Sequence, residues 1–162
     1  MLQLKGTVCV EASKEATWKV LSDIENISDW VDVVITAKST GMVSRGVDAE
    51  RTCELKNKVT ITERWIAWDE GNSFTYEGFN VPMAKSAKNT WTVKAENGKT
   101  LITTESVLVL KGGIIGRMFE PLVKLMTKRL GAKSLASLKY LVENGKPFEG
   151  KYSSLPSFAT AC

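Results

Sequence analysis

The chain of 162 residues contains no histidine. A Ser-His-Asp or Cys-His nucleophile system cannot be built from it, and histidine-ligated zinc or iron sites are excluded with them. Any acid–base chemistry must use carboxylates, Lys, Tyr or Cys. Cysteine is scarce: Cys9, Cys53 and Cys162 are odd in number, far apart and without a C-x-x-C pair. A disulfide framework is therefore not expected, and a reducing, cytoplasmic setting is. No apolar run approaches the roughly 18 residues of a membrane-spanning helix. The opening MLQLKGTVCVEA alternates and carries Lys5 and Glu11, which fits a strand and not a signal peptide. Nothing in the pattern calls for a metal or a cofactor.

What is present is ordinary for a globular chain: 43% hydrophobic and 25% charged residues, enough to bury a core in one domain. That domain is expected over residues 1–147. The stretch Gly145–Cys162 is rich in Gly, Ser and Pro, and the tail 148–162 is expected to be poorly ordered. The net charge of +4 is uneven. Residues 1–110 hold 13 Lys/Arg against 15 Asp/Glu, and residues 111–162 hold 9 against 3, so the excess lies at the C-terminal end. Lys124, Lys128, Arg129 and Lys133 suit either a solvated helix face or weak contact with an acidic membrane surface or partner. A nucleic-acid partner is not expected, because no RNP, KH or helix-turn-helix signature accompanies the charge.

Along the chain, Leu2–Ala12 alternates as a half-buried strand. Ser13 caps a helix reaching Asp23, and ENISDW (Glu25–Trp30) makes a short helical turn anchored by Ile27 and Trp30. Six strands follow, at Val31–Ser39, Val47–Leu55, Lys58–Asp69, Ser73–Phe79, Ala84–Ala95 and Thr100–Leu110. Asn97-Gly98 is the strongest hairpin signal among them. The stretch Ile114–Glu143 then has helical periodicity, with Pro121 placed to kink the helix or to mark its true first turn. Gly131 stands inside it and weakens it unless a kink or a close approach to a strand requires it.

The order β-α-α-β₆-α, with Val8–Asn26 (VCVEASKEATWKVLSDIEN), Thr62–Tyr76 (TERWIAWDEGNSFTY), Asn89–Thr103 and Leu135–Pro147 (LASLKYLVENGKP), resembles the START/birch-pollen-allergen superfamily, the helix-grip or SRPBCC proteins, in its polyketide cyclase/dehydrase branch. The resemblance implies an α+β fold in which a curved seven-stranded antiparallel sheet wraps a long C-terminal helix, with two short helices after the first strand. It also implies an apolar cavity between sheet and helix for a lipid, polyketide or aromatic molecule. Carriers, receptors and enzymes share the fold, so the reaction does not follow from it.

Period-two alternation selects the inward residues. Ala49, Arg51, Cys53 and Leu55 share one face of their strand. Val59, Ile61, Glu63, Trp65 and Ala67 share one face of the next. Phe74 and Tyr76, then Asn89, Trp91 and Val93, then Ile102, Thr104, Ser106, Leu108 and Leu110 complete the set. Met118, Leu122 and Met126 form the helix stripe expected to close the cavity, either as an adaptable wall or as core filling. Arg51 and Glu63 are the constellation of interest. They would serve as a buried ion pair, as an anchor for a ligand carbonyl or carboxylate, or, with Tyr76, as acid, base and oxyanion partner of a cyclase or dehydrase. Trp65, Phe74 and Trp91 suit core packing or a ligand platform.

Overall fold

The computed structural model describes the whole chain, Met1–Cys162. Strand β1 (Leu2–Val10) leads into helix α1 (Lys14–Leu21), whose start is fixed by Ser13 accepting from the Ala16 N–H. A single 3₁₀ turn, Asn26–Asp29, follows and buries Ile27, with Trp30 buried just beyond it. Then come β2 (Val34–Ser39), β3 (Glu50–Leu55), β4 (Thr60–Asp69), β5 (Ser73–Phe79), β6 (Ala84–Glu96) and β7 (Lys99–Leu110). All seven strands form one antiparallel sheet in the order β1-β7-β6-β5-β4-β3-β2, so β1 and β2 are its two edges. Asn97 and Gly98 both take positive φ and turn the chain from β6 into β7, as the Asn-Gly pair predicts.

The C-terminal helical segment is two helices. Helix α2 (Gly113–Met118) ends at Phe119, and α3 (Glu120–Asn144) begins with Pro121 in its first turn, where a missing N–H costs nothing. Gly145 in the left-handed conformation stops α3. The second half of α3 is the part that the sheet holds. Leu135, Leu138 and Leu141 join the core with Val8 and Val10 of β1, Trp91 and Val93 of β6 and Ile102 of β7. Gly6 allows this contact: a Cβ there would lie 2.8 Å from Leu135 Cδ1.

Four expectations are corrected here. Gly131 neither breaks α3 nor meets a strand, since an added Cβ would touch nothing within 4 Å. On β4 a bulge between Trp65 and Ala67 reverses the alternation, so Ala67 is exposed and Trp68 takes the inward side. Cys9 and Cys162 are joined by a disulfide, although 153 residues separate them. The tail does not hang free. It returns to the outer edge of β1, where the Cys9 N–H donates to the Ala159 carbonyl and Thr7 Oγ1 to the Thr160 carbonyl. Phe158 packs against the core.

Candidate functional site: a cavity between sheet and helix

A cavity of about 760 Å³ lies between the inner face of the sheet and α3, within the range that holds a small molecule. Its apolar wall comes from Trp30, Val34, Leu55, Ile61, Trp91 and Leu135. Phe158 and Thr160 of the tail complete it on the β1 side. Gly131 also lines it, and the side chain it lacks is space that the cavity keeps.

Its polar floor is built by strand register. Tyr76, Asn89 and Ser106 stand in one row across β5, β6 and β7, and Thr104 pairs with Trp91 beside them. Thr104 Oγ1 and Ser106 Oγ each donate to Asn89 Oδ1 at 3.0 Å, and Asn89 Nδ2 donates to the Tyr76 hydroxyl at 3.0 Å. Tyr76 thus accepts from Asn89 and retains its own proton to donate. Burial, reinforced by the charge of Glu63, pushes the Tyr76 hydroxyl up to about 12, so it remains a donor throughout the neutral range.

Glu63 adds the one carboxylate that reaches the cavity. Arg51 stands directly opposite it on β3 and donates Nε–H to Glu63 Oε2 at 2.5 Å. Arg51 Nη1 donates to the Ile24 carbonyl at 2.9 Å, and the guanidinium lies over the rings of Trp65 and Tyr76 at 4.9 and 5.4 Å. Burial opposes the Arg51 charge, but Glu63 and the other neighbours outweigh it and hold the guanidinium above its ordinary value. The Cys53 thiol contacts Glu63 Oε2 at 3.9 Å, and burial pushes it up to about 11. It is a protonated thiol there, not a nucleophile. No three Cys, Asp or Glu side chains converge as a metal ion would need.

Of the residues singled out in the sequence, Cys53, Ile61, Glu63, Tyr76, Trp91, Thr104 and Ser106 line the cavity together. Arg51, Trp65 and Phe74 do not. They are buried behind the wall, where Trp65 and Phe74 pack with Tyr76 as an aromatic cluster. Trp65 Nε1 is the one buried side-chain nitrogen or oxygen without a partner. Met118, Leu122 and Met126 were expected at the cavity and are not there: all three side chains are exposed. The face that α3 turns to the cavity carries Lys124, Thr127, Lys128 and Gly131. Periodicity located a stripe on this helix, but a stripe alone does not say which way it faces. Asn89 was placed on the inward face and not singled out, yet it organises the polar floor. An amide opposite a Tyr and a Ser on adjacent strands is the signal that points to it.

The family described as polyketide cyclase / dehydrase and lipid transport matches residues 1–143. No curated protein matches the sequence. Among solved structures, a START superfamily protein from Mycobacterium smegmatis is similar with a TM-score of 0.64 at 17% identity, over 82% of this chain and 93% of that one. Ara h 8.0201 is similar with a TM-score of 0.65 at 11% identity, over 87% and 97%. BexL, a di-domain ARO/CYC, is similar with a TM-score of 0.67 at 12% identity, over 86% of this chain and 46% of BexL. At such identities these likenesses are of fold, and the fold they share is the helix-grip arrangement.

Proposed function

The chain belongs to the polyketide cyclase / dehydrase and lipid transport family, and on that premise we propose that it binds a small hydrophobic molecule with one oxygen-bearing end in the cavity between sheet and α3. The observation that carries this reading is the cavity of about 760 Å³ with an apolar wall and a single polar floor. An apolar ligand body gains from leaving water, at about 25 cal/mol per Å² buried. A carbonyl or hydroxyl oxygen at its end meets the free proton of Tyr76. A ligand hydroxyl can instead donate to Glu63. Such a pairing of apolar bulk and few fixed polar groups sets orientation as well as affinity.

Native mass spectrometry of the protein purified from its own host tests the reading. A co-purifying lipid, polyketide or aromatic is expected. An empty protein that also takes up no apolar fluorophore overturns it. The reading sets this binding in the cytoplasm, where Cys9 and Cys162 would stand reduced. Thiol labelling in intact cells then finds both thiols free, and a persistent disulfide moves the protein to an oxidising compartment.

A second reading, a cyclase or dehydrase, is favoured by one observation: Glu63 and Tyr76 face the same cavity, so a proton acceptor and a proton donor share one ligand space. Arg51 lies outside that space and would act by positioning Glu63. Under this reading Glu63→Gln removes turnover while the protein stays folded, and turnover that survives the change ends it.

A further inference from the structure

The first three turns of α3 are amphipathic the wrong way round for a core helix. Leu122, Leu125 and Met126 point to solvent, while the opposite face presents Thr127, Lys128 and Gly131 to the cavity. Helix α2 continues the exposed surface with Ile114, 82% exposed, and Met118, 76% exposed. Met83 adjoins them, since its carbonyl accepts the Lys111 N–H and its side chain is exposed too. So many exposed large apolar side chains within residues 114–126 are uncommon on a protein surface without a partner.

The charges around the patch select the partner. Between residues 111 and 133 the chain carries Lys111, Arg117, Lys124, Lys128, Arg129 and Lys133 against Glu120 alone. Glu120 is already engaged by the Met1 ammonium at 3.1 Å. Arg129 and Lys133 follow Leu122 and Met126 at seven-residue spacing, so the outward stripe passes from apolar to basic along one face. Two copies of this surface would bring like charges together, which opposes self-association. An interface offering both apolar chains and negative headgroups complements both parts of the stripe.

We infer that α2 and the first half of α3 dock on the surface of an anionic lipid bilayer. The apolar residues enter the boundary between headgroups and acyl chains, and the Lys and Arg side chains meet the phosphates. Arg129 and Lys133 continue the docked stripe, while Lys124 and Lys128 line the cavity on the other side of α3. No helix is long and apolar enough to cross a membrane, and the attachment is peripheral.

Co-sedimentation of the full chain with vesicles of phosphatidylcholine alone, or of phosphatidylcholine mixed with phosphatidylglycerol, tests the inference. Binding is expected to the mixed vesicles only, and to weaken on the order of tenfold when salt is raised to a screening concentration. The double variant Leu122→Asp, Leu125→Asp alters only exposed positions and should abolish binding with its fold intact by circular dichroism. Gly131→Trp, which fills the cavity, should leave vesicle binding unchanged, so a failure of the cavity reading is told apart from a failure of this one. Absence of binding to the mixed vesicles overturns the inference. So does full retention of binding by the double variant. Concentration-dependent dimerisation that the double variant abolishes, without vesicle binding, assigns the face to a second copy instead.

Discussion

Arg51 and Glu63 face each other across β3 and β4, joined by an Nε–H to Oε2 hydrogen bond of 2.5 Å, and only Glu63 reaches the cavity. Both are buried, so each is the other's means of staying charged away from water. Removing one partner leaves an uncompensated charge, at a cost of roughly 3–5 kcal/mol. Arg51→Met should therefore lower stability by about that much. Adding Glu63→Leu should recover most of the loss, because two apolar residues of similar volume pack there without a lone charge. Chemical denaturation of both single variants and the double variant measures the coupling, and simple additivity would contradict it.

Stability should fall in alkaline solution for an identifiable reason. The folded chain raises the Tyr76 hydroxyl from 10.0 to about 12 and the Cys53 thiol from 9.0 to about 11. Both groups are neutral when protonated, so the folded state binds their protons more tightly than the unfolded state does. The stabilisation is fully present below pH 9 and is lost as the pH rises through these folded values. A shift of this size corresponds to on the order of 3 kcal/mol for each group, and both groups sit beside Glu63 and Arg51. Tyr76→Phe lowers the starting stability, since Asn89 Nδ2 loses its acceptor, but should flatten the decline between about pH 10 and 12. Denaturation midpoints across that range check this, and an unchanged slope in the variant would refute it.

Much of this architecture is legible in the chain, and particular residues show why. Strand β5 matches its expected bounds because Phe74 and Tyr76 alternate cleanly between turn signals. The Arg51–Glu63 pair follows from alternation on two strands joined by a short turn. Pro121 marks the true start of α3. What was not legible depends on contacts distant in sequence. The outward stripe of Leu122 and Met126 has the same period as an inward one. The floor around Asn89 needs the registers of three strands at once. The bulge that exposes Ala67 has no composition of its own. The bond from Cys9 to Cys162 spans nearly the whole chain, so spacing carries no trace of it.

Gly131 separates helix stability from ligand binding. It is a helix-interior glycine without a steric reason, and it lines the cavity. Gly131→Ala should stabilise the protein by about 1 kcal/mol through helix propensity alone. Gly131→Trp should instead occupy the cavity and remove uptake of an apolar fluorophore while the protein stays folded. Thermal denaturation and fluorophore titration of the two variants check both halves. Uptake by Gly131→Trp equal to that of the unaltered protein would remove the ligand from this cavity.

The tail ties the cavity to the redox state of two cysteines. Cys162 is bonded to Cys9 on edge strand β1, while Phe158 and Thr160, a few residues earlier, form part of the cavity wall. Three further bonds hold this segment: Cys9 N–H to the Ala159 carbonyl, Thr7 Oγ1 to the Thr160 carbonyl and Asn97 Nδ2 to the Cys162 carbonyl. These are near the surface and each contributes about 1 kcal/mol at most. The crosslink closes a loop of nearly the whole chain and constrains the unfolded state by roughly 2–4 kcal/mol. Cys162→Ser should lose about that much stability under oxidising conditions and nothing under reducing ones, where the unaltered protein is already unlinked. With the crosslink gone, the segment around Phe158 is held only by these hydrogen bonds and by packing, so a bound fluorophore should exchange faster from the reduced protein. Stopped-flow displacement with and without reductant reads that rate. Equal rates would mean that the wall formed by the tail stays in place without the bond.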